Sequence, residues 1–143
     1  MPNIFTYGSL MCEDIMLRVA ACRSKALLAS LSGYRRSRLH GLEYPAIFPA
    51  RGGEVSGILY LDLNPEALQR LDIFEGEMYS REELVVYAGG KPLPAMAYVL
   101  KKPYHHLLTG QEWHLAEFLQ GGKARFEAAY LGFASLEGEN PPG

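Results

Sequence analysis

Cysteine is scarce in this chain: two among 143 residues, Cys12 and Cys22. That excludes a disulfide framework as the source of stability. If both stand on one helix, the ten residues between their positions put them ~15 Å apart, beyond the reach of a bridge. Free thiols fit a reducing, cytoplasmic compartment. An excess of one charge is lacking too, since 14 Lys and Arg face 16 Asp and Glu, a formal net charge of -2. No basic stripe offers itself to nucleic acid or to an anionic membrane, so neither is an expected partner. Arg35, Arg36 and Arg38 do cluster, and they read as a solvated strand face or edge. No apolar run approaches membrane-spanning length. The N-terminus has neither the charged start nor the apolar core of a signal peptide.

Catalytic signatures are equally thin. His40, His105, His106 and His114 have no spacing that suits a metal site, and no metal or cofactor is expected. Gly52-Gly53 and Gly89-Gly90 read as turns, not phosphate-cradling loops. Ser9 sits in no nucleophile-elbow pattern.

What the chain has is enough apolar residue for one core. At 48% hydrophobic and 21% charged, 143 residues make one domain, taken as 1–134. The last nine residues, SLEGENPPG at 135–143, are too polar to pack and read as a flexible tail. Residues 3–7 read as a strand. Met11, Ile15, Val19 and Cys22 are spaced as one face of a helix. Residues 25–32 and 34–39 suggest two strands around Gly33, while Pro45 and Pro49 rule out a central strand over the whole of 41–50 but allow an edge strand or a broken one. Glu54 to Leu63 alternates clearly. Asn64-Pro65 opens a helix with the stripe Ala67, Leu68, Leu71, Phe74, and Gly76 closes it. Tyr79–Tyr87 and residues 93–100 form a hairpin about AGGKP. Thr109–Glu112 has the capping-box spacing, predicting a helix to Gln120, a break at Gly121-Gly122 and a last helix from Lys123 to Leu131. Trp113, Phe118 and Leu119 are assigned to the core. More strands than helices, without regular alternation, predict an α+β fold with a mostly antiparallel sheet or barrel.

Two stretches stand out chemically. In Tyr7-Gly8-Ser9-Leu10 a strand stops on a glycine. This is an ordinary turn, or a place where bare backbone N–H groups meet an anion; four residues alone favour the turn. In LDIFEGEMYSR, Asp72, Glu75 and Glu77 crowd the C-terminal end of a predicted helix, where the dipole disfavours carboxylates. They are a solvated helix end, or one of them is a base whose pKa the site raises. If residues 79–87 are a strand, Tyr79, Arg81, Val85 and Tyr87 share one face, bringing Tyr79 and Arg81 toward Glu75. Arg81 has the alternative of pairing with one of those acids at the surface.

Taken together, YGSL at 7–10, GEVSGILYLDL at 53–63 and LDIFEGEMYSR at 71–81 resemble the gamma-glutamylcyclotransferase-like family, over roughly residues 3 to 100. The resemblance implies a small mixed barrel-like sheet flanked by helices, with a pocket at one end. It implies that Tyr7, Gly8, Ser9 and Leu10 line the pocket and offer amides to a γ-glutamyl substrate. It implies that Glu75 is the acid/base and that Tyr79 stands near the pocket. The implied activity is a cofactor-independent cyclotransferase releasing pyroglutamate and an amine. Two other classes remain: a non-catalytic module binding a small carboxylate or amino-acid derivative in the same pocket, and an interaction protein. The latter predicts an exposed Glu75 and no pocket beside Gly8. The leaving amine and the oligomeric state are open at this level.

Overall fold

Apolar–polar alternation carries five strands, which close on one another. The computed structural model describes residues 2–130 of the chain, so the predicted tail at 135–143 lies outside the described residues. Strands β1 (Ile4–Thr6), β2 (Ala26–Arg38), β3 (Pro45–Tyr60), β4 (Tyr79–Ala88) and β5 (Lys91–Leu100) form a closed barrel in the order β1-β3-β2-β4-β5. Every pairing is antiparallel except that of β1 with β5, where Ile4 lies beside Met96. Helices flank it: α1 (Glu13–Ala20), α2 (Pro65–Glu75) and, C-terminally, the single turn α3 (Leu115–Glu117) and α4 (Lys123–Ala129). The class is α+β, as the pattern predicted.

Several local signals act as they read. The Asn64 side chain caps α2 by accepting the Ala67 N–H at 2.8 Å, with Pro65 in the first turn. Gly89 and Gly90 both take positive φ (59° and 76°), the conformation a two-residue hairpin turn needs between β4 and β5.

Others change in the folded chain. The two strands expected around Gly33 are one strand, β2, bulged between Ser32 and Tyr34, with Gly33 at φ 85° absorbing the irregularity. Residues 45–49 lie in a strand paired on one side, the edge their prolines allow. The reason is that β1 pairs with β3 only from Ile58 to Tyr60, so the other side of the Pro45–Pro49 stretch makes no pairing with β1. The first helix is shorter than Met11–Cys22: Ser9–Met11 form a separate 3-10 turn, and α1 ends at Ala20. The Thr109 capping box does not form; the Thr109 hydroxyl accepts the Gln111 N–H instead, and the helix starts at Leu115. Gly121-Gly122 does not break the chain's path but lies in a π turn (Phe118–Gly122) leading into α4. Trp113 and Phe118 are buried, whereas Leu119 is 55% exposed and leaves the predicted core.

Two apolar clusters result. One is built almost wholly from strand residues such as Phe5, Leu31, Ile47, Leu59, Val86 and Val99. The other joins α1, α2 and α4 to the sheet through Ile15, Val19, Leu71, Phe74, Trp113 and Phe126. Trp113 donates its indole N–H to the Glu43 carbonyl at 2.8 Å, which fixes the start of the C-terminal segment to the loop before β3.

Candidate active site

Strand β1 ends at Thr6, and the chain turns at Gly8. A Cβ on Gly8 would stand 2.7 Å from Pro45 Cδ and 2.8 Å from its Cγ, so the turn requires glycine because the proline ring packs there. The carbonyls around this turn are held from behind. The Tyr7 carbonyl accepts Arg36 Nη1 at 2.8 Å, and the Leu10 carbonyl accepts the Tyr60 hydroxyl at 2.9 Å. Gly8 and Ser9 carbonyls accept the N–H groups of Met11 and Cys12. The N–H groups of Gly8, Ser9 and Leu10 have no acceptor among the described residues.

Across from this turn is the end of α2. Ala67, Leu71 and Phe74 are buried on one side of that helix, and this docking sets the phase that turns Glu75 toward the barrel mouth while Asp72 and Glu77 stay exposed. Glu75 lines a cavity of about 30 Å3 together with Tyr7, Gly8, Ser9, Leu10 and Tyr79. The six residues singled out in the sequence are therefore brought to one place. Tyr44, Tyr98, Phe126 and Tyr130 complete much of the wall.

The Glu75 carboxyl accepts no hydrogen bond among the described residues. Five tyrosines surround it, yet each directs its hydroxyl elsewhere: Tyr7 to the Tyr98 carbonyl (2.7 Å), Tyr44 to Met78 Sδ (4.0 Å), Tyr79 to the Pro45 carbonyl (2.8 Å), Tyr98 to Asp72 Oδ1 (2.7 Å) and Tyr130 to the Phe74 carbonyl (2.7 Å). Burial, and secondarily the Asp72 carboxylate one turn back, push the Glu75 carboxyl up to about 8. Burial also raises Tyr7 and Tyr79 well above the usual range, so both stay neutral hydroxyls. The site thus combines an unpaired acid–base group near neutrality with unpaired amide donors, which suits a ligand carrying both an ammonium and a carboxylate.

Arg81 does not line this cavity. It lies beside Asp72, with Nη1 3.4 Å from Oδ2, which is the surface-pair alternative. Arg36, grouped with Arg35 and Arg38 as solvated, is a correction: its guanidinium holds the Tyr7 carbonyl, the Ser56 carbonyl (3.2 Å) and Glu112 (2.8 Å), while Arg35 and Arg38 are exposed. Tyr44, Tyr98, Phe126 and Tyr130 escaped sequence reasoning because they come from three separated segments: the loop before β3, β5, and α4 with the residue after it. The alternation of β5 would have allowed Tyr98 to be placed opposite Ala97 and Val99, but not over Asp72. Groups of three or more His, Cys, Asp or Glu able to hold a metal are absent among the described residues.

A small closed barrel with one tyrosine-walled acid at its mouth defines a protein with a small-molecule site. Residues 4–115 match the family model described as gamma-glutamyl cyclotransferase, AIG2-like, and the chain belongs to that family. It is 32% identical over 130 residues to AIG2-like protein D of Arabidopsis thaliana, covering 84% of this chain and 86% of that protein. A solution structure of another Arabidopsis thaliana protein matches with a TM-score of 0.69 at 24% identity, over 96% of this chain and 93% of that one. The crystal structure of an AIG2-like protein from Mus musculus matches with a TM-score of 0.63 at 22% identity, over 85% and 92%. At these identities the two structures establish the shared fold. The family match ends at residue 115, so α4, with Phe126 and Tyr130 beside it, lies beyond it. No helix among the described residues is long and apolar enough to cross a membrane.

Proposed function

We propose that the protein is a gamma-glutamyl cyclotransferase, converting a γ-glutamyl amide to 5-oxoproline (pyroglutamate) and a free amine. The observation that carries this reading is the unpaired Glu75 carboxyl, held near neutral pH in a cavity it shares with the bare amides of Gly8, Ser9 and Leu10. In this scheme those amides receive the substrate's α-carboxylate, and Glu75 meets its α-ammonium. A carboxyl raised to about 8 takes a proton from that ammonium at less cost than an ordinary carboxylate.

Glu75 takes a proton from the ammonium, and the freed amine attacks the γ-carbonyl carbon of the same residue. The new C–N bond closes a five-membered lactam. As the tetrahedral centre collapses, the original amide C–N bond breaks, and the proton held on Glu75 passes to the departing nitrogen. The ring nitrogen gives up its second proton to the regenerated Glu75 carboxylate, which delivers it to the freed amine, so a neutral lactam and an ammonium result. The nucleophile belongs to the substrate, so the protein's contribution is folding the substrate and moving two protons in turn. Holding amine and carbonyl in contact is worth several kcal/mol of barrier, and a positioned base adds roughly 10²–10⁴-fold.

The test is incubation with a panel of γ-glutamyl amides and detection of 5-oxoproline by mass spectrometry, with Glu75→Gln in parallel. Product from wild type alone supports the scheme. Product from both removes Glu75 from the mechanism. Product from neither, with both proteins folded, favours the non-catalytic binding module.

A further inference from the structure

The cavity holding Glu75 is small, about 30 Å3, so in this scheme a γ-glutamyl amide reaches past its outer wall. The outer part of that wall is three packed rings. Tyr44 lies 5.8 Å from Phe126 and 5.1 Å from Tyr130, and Phe126 and Tyr130 stack at 4.7 Å. A second cavity of about 290 Å3 lies against the same three rings and extends over Leu42, Glu43 and Arg125.

Two of the rings stand on α4 and just after it. This helix joins the body through the π turn that ends in Gly121-Gly122, a place where the regular ladder is interrupted and side chains do not restrict the backbone. Phe126 packs this helix on Phe74 and Phe118, the Tyr130 hydroxyl donates to the Phe74 carbonyl, and the ion pairs of Lys123 with Asp14 and Arg125 with Glu43 add to this at the surface. Moving the Phe126 and Tyr130 rings merges the two cavities into one space. The Glu75 end then takes the γ-glutamyl part, and whatever is bonded to the γ-carbonyl projects into the larger space.

Resting on the cyclotransferase reading, we propose that the cavity beyond Tyr44, Phe126 and Tyr130 receives the departing amine, and that these rings with Leu42 select an amine bearing an apolar body. Among the described residues, three rings and a leucine face this space, and its two charged residues, Glu43 and Arg125, are bonded to each other and leave no unpaired charge to reward a polar amine. Burying an apolar side chain against such a wall distinguishes substrates, while the reacting bond stays the same.

The experiment compares kcat/KM for γ-glutamylglycine, γ-glutamylleucine and γ-glutamylphenylalanine, which differ only in the apolar part of the leaving amine. The expected result is a rise of about tenfold or more from glycine to phenylalanine. In Phe126→Ala and Leu42→Asn that ratio falls to within about threefold of unity. Leu42 is half-buried, so its variant keeps the test alive if the Phe126 variant does not fold. A flat or reversed series while 5-oxoproline forms overturns the subsite and leaves the cyclotransferase reading standing. So does a wild-type ratio in both folded variants. No 5-oxoproline from any γ-glutamyl amide overturns both.

Discussion

Glu75→Gln removes turnover in the scheme above, and the same change makes a thermodynamic prediction that needs no substrate. A carboxyl whose pKa is higher in the folded than in the unfolded chain binds its proton more tightly when folded. Its contribution is therefore present below the unfolded value and is lost as pH rises through the folded value. For Glu75 the window runs from the ordinary 4.5 to about 8. At about 1.4 kcal/mol per pH unit, that interval corresponds to ~5 kcal/mol as an upper bound. Glu75 is partly accessible, so solvent screens the charge and about half of this, ~2–3 kcal/mol, is expected. Glutamine does not titrate, so the variant lacks this term. Urea unfolding of both proteins from pH 5 to 9 is the assay. The stability of Glu75→Gln relative to wild type should climb by ~2–3 kcal/mol across that range and level off above pH 8. Other titrating groups, including the Asp14 carboxyl that its Lys123 partner pulls down, are common to both proteins and cancel in the difference. Parallel curves from pH 5 to 9 would refute the claim that folding buries this carboxyl.

Three further substitutions probe the frame of the site. Asp72→Asn removes the negative charge nearest Glu75, so the acidic limb of the pH–kcat/KM profile should move down by roughly one pH unit; an unmoved limb contradicts the assigned influence. Gly8→Ala places a methyl into the Pro45 ring, and overpacking of this kind costs ~1–3 kcal/mol in urea unfolding. Wild-type stability in that variant would show that the two segments separate freely. Arg36→Ala releases the Tyr7 and Ser56 carbonyls and Glu112, an expected loss of ~2–3 kcal/mol measured by thermal unfolding. A loss below ~0.5 kcal/mol would return Arg36 to the solvated surface where its sequence neighbours lie.

The sequence by itself determined whatever depends on a few consecutive residues. Asn64-Pro65 starts a helix because the cap and the ring act within one turn. Gly89-Gly90 makes a hairpin because both positions need positive φ. Asp72, Glu75 and Glu77 drew attention together because acids at a helix C-terminus run against the local dipole, and the resemblance to a family singled out Glu75 among them. The same local logic failed where a distant segment intervened. Thr109 spends its hydroxyl on a turn. Arg36 is drawn inward by the Tyr7 and Ser56 carbonyls.

Only the tertiary structure decided which of three neighbouring acids faces the cavity, and what surrounds it. The docking of Phe74 and Leu71 turns Glu75 in and leaves Asp72 outside, in reach of Tyr98 and Arg81. The cavity wall unites residues from β1 through α4, and the Tyr7–Tyr98 hydrogen bond spans 91 positions of the chain. Barrel closure makes these neighbours. It is a long-range pairing whose geometry is written in no single stretch, because each strand's alternation says which face is buried and not which partner lies beside it.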